Sequence, residues 1–140
     1  YNFKVGFTGK ESDYRNHDYV SDLKKFVTDE KLENHVFFLG FIDRKEQLAL
    51  MKYALAIIQP SIFEGWSSVV EDSKAMNQYL ILSNIPVHLE QCQENVSFFD
   101  PRDEYDLAKA MKNTLLKPNK INEVDYTLSI VKYAKKLINL

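Results

Sequence analysis

The sequence predicts an α/β protein, a parallel sheet with helices on both faces and three layers in all. Three observations predict it. Apolar runs of strand length alternate along the chain with segments of helical period. Those runs are apolar throughout rather than alternating, as in parallel sheets covered on both sides. The chain has 140 residues, 45% hydrophobic and 27% charged, which suits a single domain over 1–140 with one core.

The elements follow in order. FKVGFTG (3–9) reads as a buried strand ending in glycine. Residues 16–33 follow as a helix, with Tyr19, Leu23, Phe26 and Val27 at helical spacing. HVFFLGF (35–41) is a second strand, broken by Gly40. Asp43 can cap a helix over 44–54 with Leu48 and Met51 inward. LAIIQPS (55–61) is a third strand, stopped by Pro60. Residues 67–77 read as helix, YLILS (79–83) as a fourth strand, and 86–93 as a short helical piece. VSFFDP (96–101) is the fifth strand, and helices fit 103–117 and 122–139 around Pro118.

Composition narrows the function. Net charge is −2 and the isoelectric point about 5.9, with no basic run to follow a phosphate backbone. No nucleic-acid partner is expected. No apolar stretch approaches the ~20 residues of a membrane helix, and YNFKVGFTGK lacks the layout of a signal peptide. The one cysteine, Cys92, excludes an intramolecular disulfide framework and reads as an inert thiol. A reducing cytosol is the simplest compartment. His17, His35 and His88 are scattered, without metal-ligand spacing, and read as surface or packing residues. His88, just after a strand end, has the best claim to lie near a cleft.

Ligands of parallel sheets bind beyond the carboxyl ends of the strands. The richest such stretch is QPSIFEGWSSVVEDSKAMNQYLILSNIPVHLEQ (59–91). Pro60 ends a strand, Ser61 to Trp66 form a loop, and Gly65 lets a ligand approach the backbone. A helix starts at Ser67 or Ser68, where Ser68-Val69-Val70-Glu71 fits a capping box. N–H groups left over at that helix end suit a diphosphate. Glu64 lies before the helix start, Glu71 and Asp72 one turn into it. Carboxylates for sugar hydroxyls beside an anion-binding helix end match a sugar nucleotide. Each residue also has a plainer reading: Glu64 as a solvated loop group, Glu71 as a cap, Trp66 as packing.

The same segment resembles the donor-binding motif of GT-B fold glycosyltransferases, the large retaining family four. The family pattern is Pro-Ser, a short gap, then Glu-Gly-Phe-Gly. A second glutamate follows eight residues after the first, and Ala-Met-Ala beyond it. Pro60-Ser61, Glu64-Gly65-Trp66 and Ala75-Met76 fall close to that register. FKVGFTG, HVFFLGFIDRKEQLALMKYA (35–54), IPVHLEQ (85–91) and VSFFDPRDEYDLAKAM (96–111) match further family segments in order.

The resemblance implies roles residue by residue. Glu64 would be the catalytic carboxylate, contacting the donor sugar's hydroxyls. Backbone around Gly65, Trp66, Ser67 and Ser68 would cradle sugar and diphosphate. Asp72 stands where the ribose-binding glutamate is usual, and Ser67 where a second glycine is usual, which stiffens the loop. The backbone of Ile42, two residues after Gly40, falls where the family pairs with the nucleobase; Gly9 is the weaker correspondence.

It also implies a Rossmann-like domain of five strands in the order 2-1-3-4-5. The chain would be the donor half of a two-domain enzyme, the acceptor domain lying outside it. An earlier strand and helix that supply a diphosphate-binding Arg and Lys would lie outside it too, and neither Lys10 nor Arg44 matches them. The parent reaction would be sugar transfer from a nucleotide donor with retention, in surface polysaccharide or lipopolysaccharide synthesis. The nucleotide sugar would be a co-substrate, with no metal or other cofactor. The chain alone would be inactive. Implied too are a cytoplasmic location, membrane-surface association of the parent, and a homodimer through apolar residues of the last helix. Leu128, Val131 and Lys135 lie on one side of that helix, and Tyr126, Ile130, Tyr133, Ala134 and Leu137 on or near another. Two alternatives stay open. One is a non-catalytic nucleotide-binding or flavodoxin-like regulatory module, though Thr8-Gly9-Lys10 and Gln59-Pro60-Ser61 lack a receiver domain's acidic residues. The other is a dehydrogenase half, though Gly6 and Gly9 do not form Gly-x-Gly-x-x-Gly.

Overall fold

Each apolar run becomes a parallel strand and each periodic segment a helix. The computed structural model describes residues 2–11, 18–117 and 120–138. The chain divides into two compact units, Tyr1–Leu48 and Ala49–Leu140.

In the first unit β1 (Val5–Thr8) pairs parallel with β2 (Val36–Gly40), and α1 (Tyr19–Asp29) connects them. The register runs Val5↔Val36 to Phe7↔Phe38, then shifts so that Thr8 lies opposite Gly40. Phe7 stacks on Phe38 at 5.4 Å, and Phe3 on His35 at 4.9 Å. His35 is thus a packing residue, its Nδ1 2.9 Å from the Phe3 carbonyl. His17 lies outside the described residues. α1 stops four residues before the expected end. Lys31 takes φ 57°, Leu32 N–H donates to the Val27 carbonyl and Lys31 N–H to that of Thr28. This is a left-handed helix stop with lysine where glycine is usual, so composition gave no sign of it. β1 and β2 are not covered on both faces: most of their residues are half-exposed or exposed.

α2 (Arg44–Tyr53) starts as expected. The Asp43 carboxylate accepts from the N–H groups of Lys45 (2.7 Å) and Glu46 (2.9 Å).

The second unit carries a three-stranded parallel sheet, β3 (Ile57–Gln59), β4 (Leu80–Ser83) and β5 (Val96–Phe99), with β4 central. Around it run α3 (Ser68–Ala75), α4 (Pro86–Gln91), α5 (Glu104–Leu116) and α6 (Tyr126–Ile138). Every residue of β4 is buried, as a central strand covered on both faces should be. Leu80 and Leu82 form a core with Val70 and Cys92, against which Ile57, Val96 and Phe98 pack. Each fully buried aliphatic side chain contributes ~1.5–3 kcal/mol.

One expectation is corrected. The five strands do not form one sheet in the order 2-1-3-4-5. Ladders join β1 to β2, and β3 to β4 to β5, but none among the described residues joins β1 to β3.

α6 also starts later than 122. The amide of Asn95 exchanges two hydrogen bonds with the backbone of Asn122, both 2.8 Å. The amide of Asn77 does the same with Val124, at 3.2 and 2.9 Å. These bonds occupy the backbone groups a helix would need. Asp125 then caps α6 through the N–H groups of Thr127 and Leu128. Leu128, Ile130, Val131 and Ile138 are exposed on α6; the side chains of Tyr133 and Leu137 lie outside the described residues.

Candidate active site

The loop after β3 leads directly into α3. The cap of α3 is Ser67, one residue before the expected Ser68: its Oγ accepts from Val70 N–H at 3.5 Å. The capping box is therefore corrected. With Ser67 as cap the box partner would be Val70, which has no acceptor, and Glu71 is released for other bonds. Helix geometry gives the N–H groups of Ser68 and Val69 no intrahelical acceptor.

α4 braces this junction from the side. Pro86 occupies its first position, where a missing N–H costs nothing. His88 and Gln91, three residues apart, share a face and are both buried. Gln91 brackets Ser67: its Oε1 accepts from Ser67 N–H (3.2 Å) and its Nε2 donates to the Ser67 carbonyl (2.7 Å). The same Nε2 lies 2.9 Å from Glu71 Oε1.

His88 reaches Glu64, with Nε2 2.8 Å from Oε2. Gln59, the last residue of β3, donates to Glu64 Oε1 at 3.1 Å. Glu64 is thus held on both oxygens and remains part-exposed. Trp66 is 58% exposed, so it is not core packing. Gly65 has no positive φ, and a Cβ there would meet nothing within 4 Å.

Glu71 accepts from Lys74 (3.0 Å), Gln91 and the Tyr126 hydroxyl. Burial alone would push the Glu71 carboxyl up. Hydrogen bonds from Tyr126, Gln91 and Lys74, with the Lys74 charge, outweigh it and hold the carboxyl below its usual range. Tyr126 is pushed up to about 12, by burial first, then by the bond to Glu71 and the charges of Glu71 and Asp72. Asp72 therefore acts on the same phenol as Glu71. Burial raises the Cys92 thiol, in keeping with an inert cysteine.

In the first unit, Gly9 and Ile42 line a pocket of about 210 Å³ with Thr8, Phe41, Arg44 and Gln47. Gly9 N–H donates to the Gly40 carbonyl at 2.9 Å, and Gly40 takes φ 64°, which favours glycine. The site residues expected from sequence thus fall into two groups. Glu64, Gly65, Trp66, Ser67, Ser68 and Asp72 belong to the second unit; Gly9, Gly40 and Ile42 belong to the first. Sequence reasoning missed Gln91 and Gln59 and undervalued His88. The available signal was IPVHLEQ, a short helix whose only inward polar residues lie three apart.

Parallel α/β layering with this loop and helix start fits a domain of a GT-B type glycosyltransferase, the class that the family match establishes. The chain belongs to the family described as Glycosyl transferases group 1, whose model matches residues 1–136. It is 32% identical over 105 residues to the O-antigen chain mannosyltransferase RfbU of Salmonella typhimurium, covering 75% of this chain and 30% of that protein. Among solved structures, sucrose-phosphate synthase from Thermosynechococcus elongatus superposes with a TM-score of 0.72 at 22% identity, covering 82% of this chain and 30% of that one. Anabaena Alr3699/HepE in complex with UDP gives 0.71 at 22% identity, covering 81% and 31%. The chain thus spans about a third of the length of these relatives. Among the described residues no helix is long and apolar enough to cross a membrane.

Proposed function

We propose that residues 1–140 are the donor-binding domain of a longer glycosyltransferase that moves a sugar from a nucleotide sugar with retention of configuration. Glu64 accepts hydrogen bonds from the donor sugar's hydroxyls. The backbone of Gly65 to Ser68 receives the diphosphate at the start of α3, and Asp72 the ribose hydroxyls. These groups position the donor and stabilise the leaving diphosphate. The family relation supports synthesis of a surface polysaccharide or lipopolysaccharide, at the cytoplasmic face of the membrane. Relatives described as an O-antigen mannosyltransferase and as complexes with UDP and with UDP and glucose support the donor class.

The observation that carries the reading is Glu64, a part-exposed carboxylate at a helix start, braced on both oxygens by Gln59 and His88. The test is turnover of the whole protein. Glu64→Ala should lower kcat at least tenfold, about 1.4 kcal/mol in the transition state. Asp72→Ala should mainly weaken binding of UDP, GDP or ADP, and Asp72→Glu should restore it. Full activity in Glu64→Ala would refute the assignment. Stabilisation by NAD, and by none of the three diphosphates, would favour a dehydrogenase half instead.

A further inference from the structure

We infer that His88 is a positioning residue for Glu64, holding it as the carboxylate partner of a buried imidazolium. The functional part rests on the donor-site reading of Glu64; the structural part does not.

Glu64 sits in a loop, and a loop glutamate ordinarily samples many rotamers. Here α4 delivers a ring that is 0% exposed to within 2.8 Å of its Oε2. The other ring nitrogen fixes the ring in turn. His88 Nδ1 lies 3.0 Å from both the carbonyl and the hydroxyl of Ser83. Ser83 is buried, and its hydroxyl donates to the Ser61 carbonyl at 2.6 Å. The chain of contacts therefore runs from Ser61 through Ser83 and His88 to Glu64, starting and ending in the same loop.

Counting protons defines the state of the pair. The single hydroxyl proton of Ser83 is committed to Ser61, so it cannot also serve His88 Nδ1. Nδ1 must carry a proton to bond either Ser83 oxygen. A second proton is needed between Nε2 and the Glu64 oxygen. Glu64 is part-exposed and accepts from Gln59 on its other oxygen, which favours its charged form, so both protons sit on the ring. The nearby acids do not compete. Glu71 is engaged by Gln91, Tyr126 and Lys74, and Glu90 is on the exposed side of α4.

The consequence is a directed acceptor. An ionised carboxylate offers about four lone-pair sites. His88 and Gln59 each take one, leaving two on a group that no longer swings. Those two suit a pair of neighbouring hydroxyls on the donor sugar. Such preorganisation lowers the barrier without new contacts at the reacting carbon.

Two measurements test this. The first is nitrogen NMR of histidine-labelled chain at neutral pH. Both His88 ring nitrogens should carry protons, and Glu64→Gln should convert the ring to a neutral form with one bare nitrogen. A neutral ring in the wild type, or a ring indifferent to Glu64→Gln, overturns the ion pair.

The second is release of nucleoside diphosphate from UDP-glucose, GDP-mannose and ADP-glucose by the whole protein. His88→Gln keeps a donor near the Nε2 position; His88→Asn keeps only one near Nδ1. Gln should stay within threefold of wild type. Asn should lose at least tenfold in kcat with under threefold change in KM, and both should fold by circular dichroism. Equal rates in the two variants overturn the positioning role. Loss in Glu64→Ala with none in His88→Asn defeats only His88. Full activity in Glu64→Ala defeats the donor-site reading and the catalytic part of this inference with it, while the NMR result stands or falls alone.

Discussion

Replacing Gln91 with leucine removes a clasp while keeping nearly the same volume. Gln91 is 4% exposed and Ser67 is 1% exposed, so water cannot stand in for the lost amide at Ser67. The Ser67 N–H, which donates to Gln91 Oε1, would be left buried without an acceptor. That costs about 1–3 kcal/mol. The Ser67 carbonyl loses Gln91 Nε2 but keeps the Glu71 N–H at 3.2 Å, so its loss is smaller. Glu71 keeps Lys74 and Tyr126 and is part-exposed, which limits its share. Burial of the leucine offsets some of the total, and a net loss of about 2 kcal/mol follows. Against a typical stability of ~5–15 kcal/mol this is large. With a urea slope of ~1–3 kcal/mol/M it moves the midpoint by about 1 M. Urea unfolding followed by circular dichroism and by Trp66 fluorescence reads it directly, since Trp66 is the sole tryptophan. Gln93→Leu, on an exposed neighbour, should stay within about 0.5 kcal/mol. A midpoint for Gln91→Leu equal to that of Gln93→Leu would refute the clasp.

Four further outcomes are expected. Gly65→Ala should leave the melting temperature nearly unchanged, since neither φ nor neighbours require glycine there, yet impair donor turnover severalfold; unaltered turnover would show that no ligand comes close at that loop. Tyr126 should titrate near 12 by ultraviolet absorbance, and Glu71→Gln should bring it back towards 10. Because folding raises this phenol, its contribution to stability is intact below about pH 10 and is lost as pH rises towards 12. Glu71 runs the other way: folding lowers its carboxyl, so its contribution holds above 4.5 and is lost as pH falls through the folded value. Asn77→Gly keeps the left-handed backbone, φ 53°, but deletes the amide pair to Val124, so amide exchange at Val124 should accelerate while α3 stays intact.

How far the sequence was legible depends on whether a feature is written locally. Asp43 caps α2 as expected and α4 opens at Pro86 as expected, while α5 starts at Glu104, one residue after the expected 103, with Asp103 as its cap. The burial of β4 is equally local, a short run apolar enough to be covered on both sides. Helix ends were less legible. α1 stops at a left-handed lysine and α3 at a left-handed asparagine, and only the latter belongs to a residue type known for that conformation. The late start of α6 was hidden altogether, because Asn77 and Asn95 capture the 122–124 backbone from 47 and 27 residues away.

The candidate site shows the same division. Glu64, Gly65 and Asp72 could be singled out because a contiguous pattern carries them. What makes Glu64 more than a solvated loop acid lies on another element. His88 is 24 residues further on, and in the sequence it is one of three scattered histidines. Its neighbours in the chain, Val87 and Leu89, say only that the helix is partly apolar. The decisive fact is that α4 turns His88 and Gln91 inward together, one onto Glu64 and the other onto Ser67. A buried histidine and a buried glutamine would be costly in any core that did not offer them partners. Their positions three apart on a helix after the central strand therefore encode a brace for whatever the β3–α3 loop holds. That coupling makes the test of the donor site stricter. If the brace holds, His88→Asn must alter turnover and Gln91→Leu must alter loop stability, although neither residue need touch the ligand.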